Sequence, residues 1–180
     1  MDIMDIRRRA RQNMDEGALT KSYGSDRDTV VKLLNAALAT ELVCVLRYKR
    51  HYYMAQGIHS QAVQEEFREH AEEEMEHAEC LAERIVELGG EPDFNPNGIA
   101  DRSHSEYVEG TDLLDMIEEN LVAERIAIDS YRAMIQYIGE GDPSSRRVLE
   151  HILEVEEEHA EDLVTLLRNV SMGERLRKVG

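Results

Sequence analysis

With 180 residues the chain is long enough for one domain with a sizeable core and short for two. Aromatic residues make up only 5%, tryptophan is absent, and Leu, Ala, Glu and Arg are abundant, which excludes a strand-rich fold and predicts an all-α one. The formal charge of −17 repels nucleic acid and anionic membranes and draws cations to acidic clefts; no segment approaches the roughly 18 apolar residues of a membrane span, and the opening MDIMDIRRRARQ lacks a secretory apolar core, so a cytoplasmic protein is expected.

Residues 1–25 form a short, partly helical arm carrying Arg7, Arg8, Arg9 and Arg11, and Ser25 or Asp26 is placed to cap the next helix. This first long helix is predicted over about 27–56, with Val30, Leu34, Ala37, Glu41, Val45, Tyr48 and Tyr52 on one face. The second, about 60–88, ends at Gly89-Gly90 and carries Val63, Phe67, His70, Glu74, His77, Leu81, Ile85 and Leu88 inward. GGEPDFNPNGIADRSHSEYVEG has no helical period and reads as a long crossover. Thr111 then caps the third helix, about 112–138, with Ile117, Leu121, Glu124, Ile128, Tyr131, Ile135 and Ile138 inward. The fourth, about 144–169, turns in Leu149, Ile152, Glu156, His159, Leu163 and Leu166. Residues 170–180 read as a basic tail or a short extra helix. The connections run short, long, short, so residues 26–169 are expected to make a four-helix bundle with one crossover between the second and third helices.

The halves echo each other. Glu41 is followed 33 residues later by Glu74 and Glu124 is followed 32 residues later by Glu156, each second Glu opening Glu-x-Glu-His-Ala-Glu-x-Leu; Tyr48 and Tyr131 both lie seven residues after the first Glu. Such a repeat implies an approximate two-fold axis. All four glutamates fall near the middle of their helices, so in an aligned bundle they meet at one height. Four buried carboxylates repel one another and would take up protons unless something positive sits among them. His77 and His159, three residues after Glu74 and Glu156, share their face and complete a set of four carboxylates and two imidazoles. That donor set suits a pair of iron ions, or manganese, better than tetrahedral zinc.

Through TELVCVLRY, EEMEHAE, VAERIAID and VEEEHAEDL the chain resembles the bacterioferritins and the wider ferritin-like superfamily over roughly residues 26–169. The resemblance implies a ferroxidase centre at which two Fe(II) per subunit are oxidised by O2 or peroxide and stored as ferric mineral in a homo-oligomeric shell, with a ferredoxin-type electron donor as a further partner. Glu74 and Glu156 then resemble bridging carboxylates, Glu41 and Glu124 terminal ones, His77 and His159 the nitrogen ligands, and Tyr48 a one-electron donor or a core tyrosine bonded to a ligand. Met75 resembles the methionine that, paired across a dimer axis, holds a haem iron. Its stripe of Ala71, Ala78 and Ala82 is expected to leave room for a flat macrocycle or for a close helix partner, and Arg68 to meet a propionate or solvent. A 12-mer is favoured over a 24-mer because only a short tail comes after the fourth helix. A di-metal peroxidase or catalase, and a non-catalytic metal-buffering bundle, stand as alternatives. His70 reads as an accessory ligand or a satisfied core histidine, and Glu69 and Glu73 as cation-uptake or solubilising residues. Cys44 and Cys80 are expected as core thiols, their axial gap of about 11 Å being too wide for an intrachain disulfide.

Overall fold

A computed structural model describes residues 2–57 and 60–179, with side chains followed to Gly173; Ile58 and His59, in the link between the first and second predicted long helices, lie outside the described residues. The helices are α1 (Ile3–Arg9), α2 (Arg27–Met54), α3 (Ser60–Glu87), α4 (Ile99–Arg102), α5 (Leu113–Ile138) and α6 (Pro143–Val179), with a 3-10 turn at Met14–Glu16. No strand occurs among the described residues. The protein is all-α, and α2, α3, α5 and α6 build the expected four-helix bundle. The helix α6 passes the expected end at 169 without a break and continues to Val179, so no separate element begins at 170.

Cap chemistry sets the helix ends. Gly89 adopts φ +68°, a conformation open to glycine, and it lets the amides of Gly89 and Gly90 close on the carbonyls of Val86 and Ile85 at the end of α3. At α5 the cap is Asp112 and not Thr111: its carboxylate accepts from the Asp115 amide at 3.0 Å. Thr111 instead donates its amide and hydroxyl to the Asp115 carboxylate at 2.7 and 2.9 Å, so Asp115 gives its amide to Asp112 and its carboxylate to Thr111.

Two apolar clusters fill the bundle. One gathers Val30, Leu34, Leu81, Ile85, Met134, Ile138, Leu149 and Ile152, and the other Tyr48, Phe67, Ile117, Leu163 and Val170. The start of α2 therefore shares an end with the close of α3, the close of α5 and the start of α6, so α2 and α6 run one way and α3 and α5 the other. Against expectation, α2 is long and apolar enough to cross a membrane by length and composition. Those residues have a simpler use, since more than half of its apolar stretch is buried inside the bundle.

The crossover is held by buried polar groups. Arg47 donates from Nε to Asn120 Oδ1 at 2.8 Å and from Nη1 to the Glu106 carbonyl at 3.0 Å; His51 meets Asn120 Nδ2 at 2.9 Å and the Val108 carbonyl at 3.0 Å; Thr40 accepts from the His104 amide at 2.9 Å. Further back, Asp93 and Asn95 accept the amides of Asn95 and Asn97, and the chain turns at Gly98 with φ +75° into α4. The carbonyls of Asp93, Asn95 and Asn97 all receive the guanidinium of Arg102. An internal cation thus closes the turn.

Candidate metal centre

Between the two apolar clusters lies a polar layer. Glu41, Glu74, His77, Glu124, Glu156 and His159 are all buried. They form two overlapping groups whose ligand atoms lie within 4.8 Å of one another: Glu41, Glu74, His77 and Glu156 in one, and Glu74, Glu124, Glu156 and His159 in the other. Glu74 and Glu156 belong to both. Glu41, Glu74 and Glu124 sit near the middle of α2, α3 and α5 and Glu156 in the first half of the longer α6, and the opposed directions of α2 and α3, and of α5 and α6, bring the four to one level.

Both imidazoles turn Nδ1 inward. His77 Nδ1 stands 3.0 Å from Glu156, 3.4 Å from Glu41 and 3.5 Å from Glu74; His159 Nδ1 stands 3.8 Å from Glu156 and 3.9 Å from Glu74. His159 Nε2 lies 2.8 Å from Glu73, a carboxylate that holds the ring with its other nitrogen facing the cluster. The tyrosines close the layer crosswise. Tyr131 donates to Glu41 Oε1 at 2.5 Å, and Tyr48 donates to Glu124. Each carboxylate that ends the row is thereby bonded to the tyrosine of the other half, as the repeat would place it.

Yet much of the layer is unsatisfied. Both oxygens of Glu74 and of Glu156, one oxygen each of Glu41 and Glu124, and Nδ1 of each histidine are buried without a hydrogen-bond partner. Leaving one such group unpaired costs about 1–3 kcal/mol. So many aimed at one space fit cations of mixed oxygen and nitrogen ligation. Without cations, protons must do this work. Burial, then the charges of Glu156, Glu41 and Glu124, push the Glu74 carboxyl well above the usual range. Burial and Glu156 do the same to Glu124. Burial alone would raise Glu156 too, but the imidazoles of His159 and His77 beside it hold it below that range. Burial would lower both imidazoles; the surrounding carboxylates overcome it, raising His77 far up and His159 to about 9. The tyrosines are raised by burial and by Glu124 or Glu41, so they stay protonated donors.

Met75 stands exposed on the outside of α3, the residue being 38% accessible. Its expected outer stripe does not form. Ala71 and Ala78 are buried in the bundle, because they lie only about 40–60° around the helix from Glu74, inside the buried arc. Arg68 is engaged by Glu65 and by Glu72. Cys80 is likewise corrected: it is exposed, about 120° from Glu74, whereas Cys44 is a core thiol raised well above its ordinary pKa by burial. Both cysteines are free. Arg8 and Arg9 of the arm pair with Asp5, at 2.5 and 3.0 Å.

Sequence reasoning left His70 open and gave Glu73 no partner. His70 is a buried histidine, stacked on His159 with centroids 4.0 Å apart and bonded through Nδ1 to the Tyr48 hydroxyl at 3.1 Å. Glu69 is exposed.

The ferritin-like domain family matches residues 31–172. The chain is 30% identical over 152 residues to a bacterioferritin of Desulfovibrio desulfuricans, covering 84% of this chain and 78% of that one. It is 31% identical over 130 residues to a nutrient stress-induced DNA-binding protein of Synechococcus, covering 71% and 74%. Among solved structures, the dodecameric thioferritin of Bacteroides fragilis, a bacterioferritin-related protein, matches at TM-score 0.81 and 32% identity over 84% of this chain and 92% of that one. Dps of Thermosynechococcus elongatus matches at 0.75 and 21%, covering 78% and 90%.

Proposed function

The chain belongs to the ferritin-like family, and from that premise we propose that it is a bacterioferritin-like ferroxidase that takes a pair of Fe(II) ions as substrate and stores the ferric product in a hollow homo-oligomer. The observation that carries the reading is the ring of buried, partnerless oxygen and nitrogen atoms contributed by Glu41, Glu74, His77, Glu124, Glu156 and His159. Two Fe(II) give up one electron each, and one O2 takes both electrons with two protons to become peroxide, or one peroxide takes them to become two waters.

The side chains divide the work. Glu74 and Glu156, common to both groups, would be shared by the two cations, with Glu41 and His77 completing the set for one and Glu124 and His159 for the other. Cation binding displaces the protons that Glu74, Glu124 and the imidazoles hold in the metal-free chain, so uptake releases protons. Glu73 fixes His159 in its ligating orientation, and Tyr131 and Tyr48 fix the end carboxylates. Tyr48 is the candidate one-electron donor. The likeness to a protein described as a dodecameric thioferritin supports a shell of twelve. Haem enters this proposal through exposed Met75 alone, whose thioether would pair with that of a second copy. A Soret band lost in Met75→Leu establishes it, and protein without the band after purification with haem supplied removes it.

Mixing metal-free protein with Fe(II) and then O2 tests the main reading. The wild type is expected to oxidise two irons per chain rapidly and then accumulate many more in soluble form. Glu74→Ala is expected to slow the fast phase by at least about a hundredfold. Equal rates in the two proteins would overturn the assignment, and rapid peroxide loss with only two metals retained would favour a peroxidase.

A further inference from the structure

Arg47 lies well inside α2 and is wholly buried. Its three hydrogen bonds all go to uncharged groups: Nε donates to Asn120 Oδ1 at 2.8 Å, Nη1 to the Glu106 carbonyl at 3.0 Å and Nη2 to Cys44 Sγ at 3.4 Å, and among the described residues no carboxylate pairs with it. A guanidinium does not shed its proton in a protein, so a full positive charge stays buried there. Elsewhere the chain pairs such a group, since Arg84 meets Asp142 at 3.0 Å. Fastening the crossover does not require the charge, because an uncharged amide can donate to an amide oxygen or a carbonyl.

Beside this charge is the carboxylate layer. Asn120 stands one turn before Glu124 on α5, which sets the guanidinium about 6 Å along that helix from Glu124. Its Cζ also lies 5.8 Å from the centre of the Tyr48 ring, and the Tyr48 hydroxyl donates to Glu124. All of these residues are buried, so little water or salt screens the charge. Four carboxylates balance two divalent cations, whereas two trivalent ones leave an excess of positive charge to which the guanidinium adds. Repulsion from a fixed charge grows with the charge of the ion, and is half again as large for a trivalent ion as for a divalent one.

We propose that Arg47 sets the charge selectivity of the centre: its unpaired guanidinium weakens the hold on trivalent ions more than on divalent ones, so that Fe(II) is kept and the ferric product is driven out toward storage. Arg47 acts through its field and touches no ion. The selectivity stands on the placement of Arg47; only the clearance of ferric iron rests on the ferroxidase reading.

Three variants separate charge from shape. Arg47→Gln removes the charge and keeps a donor, Arg47→Lys keeps the charge and loses the fork, and Cys44→Asp keeps Arg47 and sets a carboxylate beside its Nη2, which serves equally if Arg47→Gln fails to fold. Calorimetry of metal-free protein with Mn(II) and with Tb(III) gives the ratio of trivalent to divalent affinity. For a charge at roughly 10 Å and an effective dielectric of about 20, that ratio is expected to rise about tenfold in Arg47→Gln and in Cys44→Asp, and to stay within about twofold of wild type in Arg47→Lys. A loss of stability weakens both ions and cancels in the ratio. With Fe(II) and O2, the fast phase is expected to recover for a second addition of iron about tenfold more slowly in Arg47→Gln. Ratios that stay put in Arg47→Gln and Cys44→Asp, or that move equally in Arg47→Gln and Arg47→Lys, overturn the proposal and leave Arg47 a fastener of the crossover. If the ratio follows the charge and recovery does not, the clearance of ferric iron is overturned. If the ratio follows the charge in protein that oxidises no iron, the selectivity stands and the ferroxidase reading fails.

Discussion

Tyr131 and Tyr48 are chemically alike and cross-bonded to Glu41 and Glu124, so removing either hydroxyl strands a buried carboxylate oxygen. Tyr131→Phe is expected to destabilise the metal-free chain by about 1–3 kcal/mol in urea titration, and by less with Mn(II) bound, since a cation then claims the oxygen. The histidines and acids predict a pH dependence. The His159 pKa is about 9 in the fold against roughly 6.5 unfolded, so its contribution is complete below about 6.5 and is lost as pH rises through 9. Glu74 and Glu124, raised by burial and by neighbouring carboxylates, act in the same direction because the folded chain holds their protons more tightly. Glu156 is lowered, and its contribution disappears only as pH falls through its depressed folded value, outside this range. The melting temperature of metal-free protein should therefore decline between pH 6.5 and 9, and Mn(II) should flatten the decline by replacing the protons. A flat metal-free profile would show that the layer holds no excess protons. The six inward residues were legible because helical period and the repeat both mark them. Their neighbours were not, because the repeat breaks there: the positions matching His70, Glu73 and Arg47 in the second half are Ile152, Val155 and Ser130. Asymmetric partners such as Glu73 on His159 come from packing between helices, which no spacing within one helix encodes.

At the level of elements, long helices declared themselves through period and glycine stops, and their ends moved by a few residues where local caps decided: Asp112 in place of Thr111, Met54 in place of a stop at Gly57. The close of α6 escaped because Val170 still packs on the core, so a stretch read as tail has reason to stay helical. The crossover was recognised by its prolines but not by what fastens it. Arg47 sits well inside an apolar helix, 1% exposed, and a guanidinium there looks like an interruption of the stripe until its partners on the crossover are seen. Burial and the nearby Arg47 charge keep His51 neutral; its Nε2–H donates to Val108 and its Nδ1 accepts from Asn120, whose oxygen in turn takes Arg47 Nε. Each group is satisfied by the next. Arg47→Met should cost about 2–4 kcal/mol by leaving Asn120 and the Glu106 carbonyl unpaired. Amide exchange should quicken across 104–110 before it changes in α3 or α6. Uniform loss of protection would mean that Arg47 supports the bundle as a whole and not the strap across it.

For the whole molecule, charge sets the kinetics. A chain of net charge −17 lowers the energy of a divalent cation approaching it, and the proposed shell of such chains would compound the effect. The attraction acts through solvent, so salt weakens it: the screening length falls from about 30 Å at 0.01 M to about 3 Å at 1 M. The buried centre feels little of this, because its ligands lie in a dry layer between two apolar clusters. Salt should therefore separate arrival from chemistry. Raising ionic strength from about 0.02 M to about 0.5 M is expected to lower the apparent second-order rate of Fe(II) oxidation at sub-saturating iron several-fold while leaving the saturated rate unchanged. Stopped-flow absorbance at varied iron and salt gives both quantities from one series. If the saturated rate falls with salt as steeply as the second-order rate, cation capture by the acidic surface is not what salt is weakening, and exchange at the carboxylate layer itself becomes the slow step.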